Sequence, residues 1–374
     1  MKQGRVATIQ ESFAHVEDPR SSNRWHLLID IIVIAICAAV CGADNWVEVE
    51  EYGKAKEAWL QQFLVLPHGI PAHDTFGRVF ACIDPREFQE GFLNWVQQVH
   101  EIVGHEVIAV DGKQLRRSHD RALGKRALHM VSAWAVKSRV VLGQWAVDRK
   151  SNEITAIPKL LKLLAVEDCI VTVDALNCQL DIATVVIDQG GDYVMAVKEN
   201  QENLYQTLDK LFTTHERQWV QCDYHTTRDT GHGRQEHREC WVTRDSDYLD
   251  YITEAADWPN LRSLIMVETE RCTPDGCSVS RRYFISSLPC NAQLALTTIR
   301  THWHVENRLH WVLDIAFRED ESRVRKGYGA ENLAVLRHLA LNLLKHEQTA
   351  NCGTRAKRLK AGWDNDYLLQ VLGV

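Results

Sequence analysis

From residue 105 onward the chain changes texture, and the new pattern restricts what it can fold into. Three short β-branched runs, "EVIAVD", "LHMVSAWAV" and "VVLGQWAV", come one after another, the last two joined by a tight "KSR" connection. The helical segment "SNEITAIPKLLKLL", the strand "CIVTVDA", a second helix and the strand "DYVMAVK" complete the order β-β-β-α-β-α-β. That succession predicts an α/β domain. Pro158 is tolerated best in a first turn, which favours a helix cap near Thr155 over one at Ser151. Either start leaves Ile157, Leu160, Leu161 and Leu164 on one inward face.

Residues 1–104 read instead as an all-α module. The run "DIIVIAICAAVCGA" has about a dozen continuously apolar residues, short of the roughly 18–20 that a membrane span needs, so it predicts a buried core helix with Asp30 at its head. Trp46, Val49, Tyr52 and Trp59 recur at helical spacing, "LPHGIPAHD" breaks the chain, and Asp84 with Pro85 opens a further helix. Residues 213–290 alternate around Gly and Asp-Gly turns and read as a mainly β insertion. Long helices follow, then a basic tail over 349–374. A chain of 374 residues accommodates this as a helical module over 1–104, an α/β domain over 105–348 and the tail. The eleven cysteines are odd in number and lack Cys-x-x-Cys pairs, which predicts reduced thiols in a cytoplasm. Cys272 and Cys277 flank the turn "TPDG", where a hairpin would set them face to face, but the preferred reading is two unpaired strand cysteines. No basic, apolar leader precedes the first helix, which argues against export.

The net charge of −7 speaks against a uniformly basic nucleic-acid binder, so local charge has to carry any such role. Lys113, Arg116, Arg117, Arg121, Lys125 and Arg126 are opposed only by Asp120. Arg323, Arg325 and Lys326 form a second patch, and Arg355, Lys357, Arg358 and Lys360 crowd the tail. Each is a candidate phosphate contact, and each is also compatible with a solvated basic face.

Three acids stand where a metal site can form. Asp111 is expected to end the first strand and Asp174 the fourth, so neighbouring strands would bring both to one sheet edge, and Glu306 lies within "THWHVENRLHW". Gathered carboxylates repel unless a cation neutralises them, which points to hard divalent ions, Mg²⁺ or Mn²⁺. Turn or cap roles for the two aspartates are the plain alternative. His302, Glu306, His310 and Asp314 recur every fourth residue and offer a competing zinc face, without the His-Glu-x-x-His pattern; Trp303 and Trp311 beside them suggest packing.

The stretches "FAHVEDPR", "GIPAHDTFGRVF", "AVDGKQLRRS", "KSNEITAIPKLL", "VTVDALNCQ", "GGDYVMAVKENQ" and "HWHVENRLHWVLDIAFRED" occur in this order. Together they resemble the H-repeat-associated family of bacterial insertion-sequence transposases over nearly the whole chain. The resemblance implies a ribonuclease H-like catalytic core with Asp111, Asp174 and Glu306 as its DDE triad and two Mg²⁺ or Mn²⁺ ions shared among them. It also implies an accessory helical module that binds DNA ends. Double-stranded DNA, as terminal inverted repeats and as target, is the expected partner. The protein is expected to work as a homo-oligomer on DNA in the bacterial cytoplasm, without a membrane.

The wider class of related transposases places Tyr, Arg and Lys seven before, four before and seven after the glutamate. Ile299, His302 and Leu313 stand there, so a phosphate contact falls to Lys326, Lys198 or a protonated His302. Asn177 replaces a more familiar glycine. The rival functions are a structure-specific nuclease without strand transfer and a DNA-binding relic.

Overall fold

Proline and glycine breaks divide the first hundred residues into five helices: α1 (Gly4–Phe13), α2 (Leu28–Val40), α3 (Trp46–Leu60), α4 (His73–Cys82) and α5 (Pro85–Val99). The computed structural model describes residues 4–22, 24–99, 106–119, 126–147, 152–214, 222–231 and 233–373. Helix α2 is buried from Asp30 to Val40, as its apolar run requires, and the Asp30 carboxylate accepts the Leu66 amide at 2.9 Å. Burial lifts that carboxyl above the usual range. Among the described residues no helix is long and apolar enough to cross a membrane.

The strands β1 (Val107–Leu115), β2 (Leu128–Ala135) and β3 (Val140–Ala146) form an antiparallel meander. Helix α6 (Glu153–Leu161) leads to β4 (Ile170–Val173), and α7 (Leu180–Asp188) leads to β5 (Asp192–Val197). Because each of these last two strands is reached by a helical crossover, β4 runs parallel to β1 and β5 parallel to β4. Helix α6 begins two residues before Thr155, with Asn152 at its cap position and Pro158 inside it. Its first residue is Glu153, whose side chain reaches residues of β2 and of the loop after β4. Ser151, the other expected cap, lies outside the described residues.

After α8 (Glu202–Thr214) come β6 (Cys222–Gly231), β7 (Arg234–Thr243), α9 (Ser246–Ala255), β8 (Ser263–Thr273) and β9 (Gly276–Ser286). These strands do not form a body of their own. β9 pairs antiparallel with β5 from Val194–Ser286 to Val197–Tyr283, giving one nine-stranded sheet in the order β3-β2-β1-β4-β5-β9-β8-β7-β6. Cys272 and Cys277 face each other across the β8–β9 hairpin and are joined by a disulfide, contrary to the unpaired reading. The short turn sets them directly opposite, where two cysteines meet on one face of the ladder. The other nine cysteines are free thiols.

The chain closes with α10 (Ala292–His302), a π-helical turn Glu306–His310, α11 (Trp311–Phe317), α12 (Gly329–His346), α13 (Thr354–Trp363) and α14 (Asn365–Leu372). Helix α12 is buried on all sides because it packs against α2, α4 and α5 as well as β3. Its Asn332 amide donates to the carbonyls of Phe80 and Ile83, and its Asn342 amide pairs both ways with the Val141 backbone at 2.9 Å. The N-terminal helices and the central sheet therefore share one continuous apolar core. The expected division at residues 104 and 105 lies outside the described residues. The basic tail is two helices: Arg358 is buried and bonds to the carbonyls of Ala39, Ala43 and Ala316 and to Asp44, while Lys360 sits over the Tyr367 ring.

The loop before α12 seals the helices against the sheet domain. Gly327 is left-handed, φ +52°, and a Cβ there would overlap the Ala81 carbonyl, which itself accepts the Tyr328 amide at 3.0 Å. Gly327→Ala is expected to cost about 1–3 kcal/mol from backbone strain alone, read as a lower melting temperature in a thermal scan. An unchanged melting temperature would mean that this junction carries no stability.

Candidate active site

The parallel register of β1 and β4 pairs Ile108 with Val171 and Ala109 with Thr172. Carried two residues further, that register would bring Asp111 level with Asp174, which follows the last residue of β4. The strand does not stop at Asp111, as expected, but continues to Leu115, paired with β2 from Asp111–Ser132 to Leu115–Leu128. β1 thus outruns β4, and its acid sits at the step, fixed by a ladder on one side only.

The third acid arrives from the helix. The π turn carries an extra residue through Glu306–His310, a distortion often found at functional sites. It turns Glu306 and His310 together toward β1: His310 Nδ1 lies 3.2 Å from Glu306 Oε2 and 3.6 Å from Asp111 Oδ2. One ligand atom from each of Asp111, Glu306 and His310 falls within 4.8 Å of the others. Asp174 is not within that group. Its Oδ1 accepts the Asn177 amide at 3.1 Å and the Asn177 side chain at 2.8 Å.

Burial pushes Asp111 up to about 6, and the negative charges of Glu153 and Asp174 add to that, against the pull of His310 and the Gly112 amide. The His310 hydrogen bond keeps Glu306 below the ordinary range. Carboxylates that resist sharing a site are what a divalent cation neutralises, and Asp111 and Glu306 offer the oxygen ligands that hard cations take, with the His310 imidazole beside them. The helix separates the supposed zinc face. His302 Nδ1 lies 2.9 Å from Thr172 Oγ1, Asp314 is bonded to Lys113, and only Glu306 and His310 stay together. Burial drives His302 down to about 4, so at neutral pH it is uncharged and lacks the protonated form expected to meet phosphate.

Lys113, the first cation of the basic tract, lies in the extended strand, with its ammonium 2.5 Å from Asp314 and 2.9 Å from Glu319. Arg116 is exposed with its Nε 3.1 Å from Asp320, and Arg325 Nε donates to the exposed Arg117 carbonyl at 2.9 Å. The two basic patches expected separately therefore adjoin in space. Arg126, Arg323 and Lys326 are exposed, as is Lys198 just past β5, at the same sheet edge as Asp174. Arg121 and Lys125 lie outside the described residues.

The sequence reading missed Glu153 and His129, which meet at 2.6 Å, and placed His310 only on the zinc face. One local signal existed: the glycine directly after Asp111, where a Cβ would overlap the Glu153 carboxylate.

Two families match the chain in tandem, one described as "DDE_Tnp_1-associated" over residues 10–96 and one as "Transposase DDE domain" over residues 103–343. In Escherichia coli K12, "H repeat-associated putative transposase YhhI" is 39% identical over 354 residues, 93% of this chain and 92% of the relative. "Putative protein YbfL" of the same strain is 38% identical over 354 residues, with the same coverage of each chain. "Putative transposase YncI" of E. coli O157:H7 is 39% identical over 351 residues, 93% of this chain and 89% of the relative. Matched across most of its length and carrying two of the three expected acids within ligand range of each other, the chain belongs to the DDE transposase family with the associated N-terminal domain.

Proposed function

We propose that this chain is the transposase of an insertion-sequence element, cutting element ends and joining them to target DNA by phosphoryl transfer on a ribonuclease H-like core. The observation that carries the reading is the convergence of Asp111 from β1 and Glu306 from the π turn, remote in sequence, with His310 between them. Asp111, Asp174 and Glu306 would hold two divalent cations, Mg²⁺ or Mn²⁺, which when bound activate the attacking oxygen and neutralise the leaving one. His310 orients Glu306 toward Asp111. The exposed Arg116, Arg117, Arg126, Arg323 and Lys326 hold the phosphate backbone beside the acids, with Lys198 at the far side of Asp174. The N-terminal helices read the element ends, and the protein acts as a homo-oligomer on DNA in a bacterial cytoplasm.

Purified protein incubated with end-containing DNA and Mg²⁺ or Mn²⁺ is expected to give both nicked ends and strand-transfer products on a sequencing gel. Cleavage without joining would support the nuclease reading. Binding without any cutting would support the relic.

A further inference from the structure

Glu153 occupies the first position of α6, yet it does not act as a first-turn acid usually does, facing water beside its own helix terminus. Its side chain, 14% exposed, turns back to the sheet edge. One oxygen lies 2.6 Å from His129 Nε2 on β2, and the other accepts from Asn177 Nδ2 at 2.7 Å. The same Nδ2 donates to Asp174 Oδ1 at 2.8 Å. A side-chain amide nitrogen carries two hydrogens, and here each goes to a different carboxylate. Asn177 is 0% exposed, so water does not compete for either.

The approach of Glu153 depends on Gly112. A Cβ on that residue would overlap the Glu153 carboxylate and crowd His129. Burial alone would raise the Glu153 carboxyl, but the His129 and Asn177 contacts outweigh it and hold it below the usual range, ionised. A buried anion is costly unless its partners use it. This one is clamped between a histidine and an amide whose remaining hydrogen fixes a second acid.

We infer that Glu153 is a positioning residue for Asp174, acting through the Asn177 amide, and that Gly112 is glycine to let it reach. The inference rests on the reading of Asp174 as a cation-holding acid. Outer partners of this kind set ligand orientation, and their loss typically costs about 10–100-fold in metal affinity or activity.

The test is Mn²⁺ binding to the full chain without DNA, by titration calorimetry, for wild type, Glu153→Ala, Asn177→Ala and the double variant, each with a melting curve in the absence of cation. Each single change is expected to weaken Mn²⁺ binding about 10–100-fold. The double is expected to be no worse than the weaker single, because one relay is cut twice. Glu153→Gln, which still offers Asn177 an acceptor and preserves shape, is expected to recover part of the affinity and to serve if the alanine variant does not fold. Gly112→Ala should reproduce the Glu153→Ala loss and add nothing to it. Wild-type affinity in Glu153→Ala, or losses that simply add in the double, would overturn the inference and leave the transposase reading intact. A wild-type chain that binds no Mn²⁺ would overturn both. Binding that follows the relay in a protein that cuts no DNA would remove only the transposase reading.

Discussion

Asp111→Asn is expected to lower Mg²⁺- or Mn²⁺-dependent cleavage of end-containing DNA by about 1000-fold or more while DNA affinity stays within about twofold. Asparagine has nearly the volume of aspartate, and β1 is held by its ladder with β2 on either side of the position, so the geometry survives. What is lost is the charge that would hold a cation between β1 and the π turn. A thermal control separates this from unfolding. In the metal-free protein Asp111 titrates near 6, above the ordinary aspartate value of about 3.9, so the stability it contributes is present below pH 4 and is lost as pH rises through 6. At pH 7 the ionised group therefore destabilises the metal-free fold, and the Asn variant should melt no lower than wild type. A mutant that cuts at the normal rate, seen on the same gel, would remove Asp111 from the chemistry.

The order of strands and helices in the sheet domain could be read from the sequence because each element carries its own periodicity: β1 to β5 are short β-branched runs, and α2 is a continuous apolar stretch. The convergence of Asp111 with Glu306 was also legible, though only through the resemblance, since nothing near Glu306 in sequence states that a π turn will aim it at β1. What was not legible depends on distant partners. "GKQL" after Asp111 looks like the end of a strand because Lys113 is charged, and it remains strand because Glu319 and Asp314 arrive from far along the chain to receive that charge. Glu153 looks like a helix-start acid until Asn177 and His129 are placed around it. Arg358 reads as part of a basic tail until the carbonyls at the end of α2 are seen to surround its guanidinium. In each case local sequence assigned the charged group to solvent, while tertiary structure supplied its counter-charge or acceptors. The β6–β9 segment differs again: its hairpins were visible, but their attachment to β5 is a long-range pairing with no local signature.

Glu319→Ala is expected to be among the most destabilising single changes in the sheet domain, by about 3–5 kcal/mol, because it strands buried cations. The Glu319 side chain is 2% exposed, lies 2.9 Å from Lys113 Nζ through one oxygen, and faces Arg337 Nη1 at 3.6 Å through the other. Arg337 is equally enclosed within α12. Removing the carboxylate leaves Lys113 with the partly exposed Asp314 as its one remaining ion-pair partner among the described residues, and Arg337 without the carboxylate that faces it. Burial by itself would raise the Glu319 carboxyl, but Lys113 and Arg337 outweigh it and hold it below the usual range. Its contribution is therefore present above the unfolded value of about 4.3 and is lost as pH falls through the lower folded value. Melting temperatures of wild type and Glu319→Gln, measured by calorimetry from pH 7 down to pH 3, should converge as the pH drops. A gap that stays constant would show that the carboxylate charge does not hold this network. Since Lys113 lies two residues beyond Asp111 on the overrunning part of β1, loosening the network should also lower DNA cleavage, at a temperature where the variant is still folded, by letting the strand that carries the first acid shift.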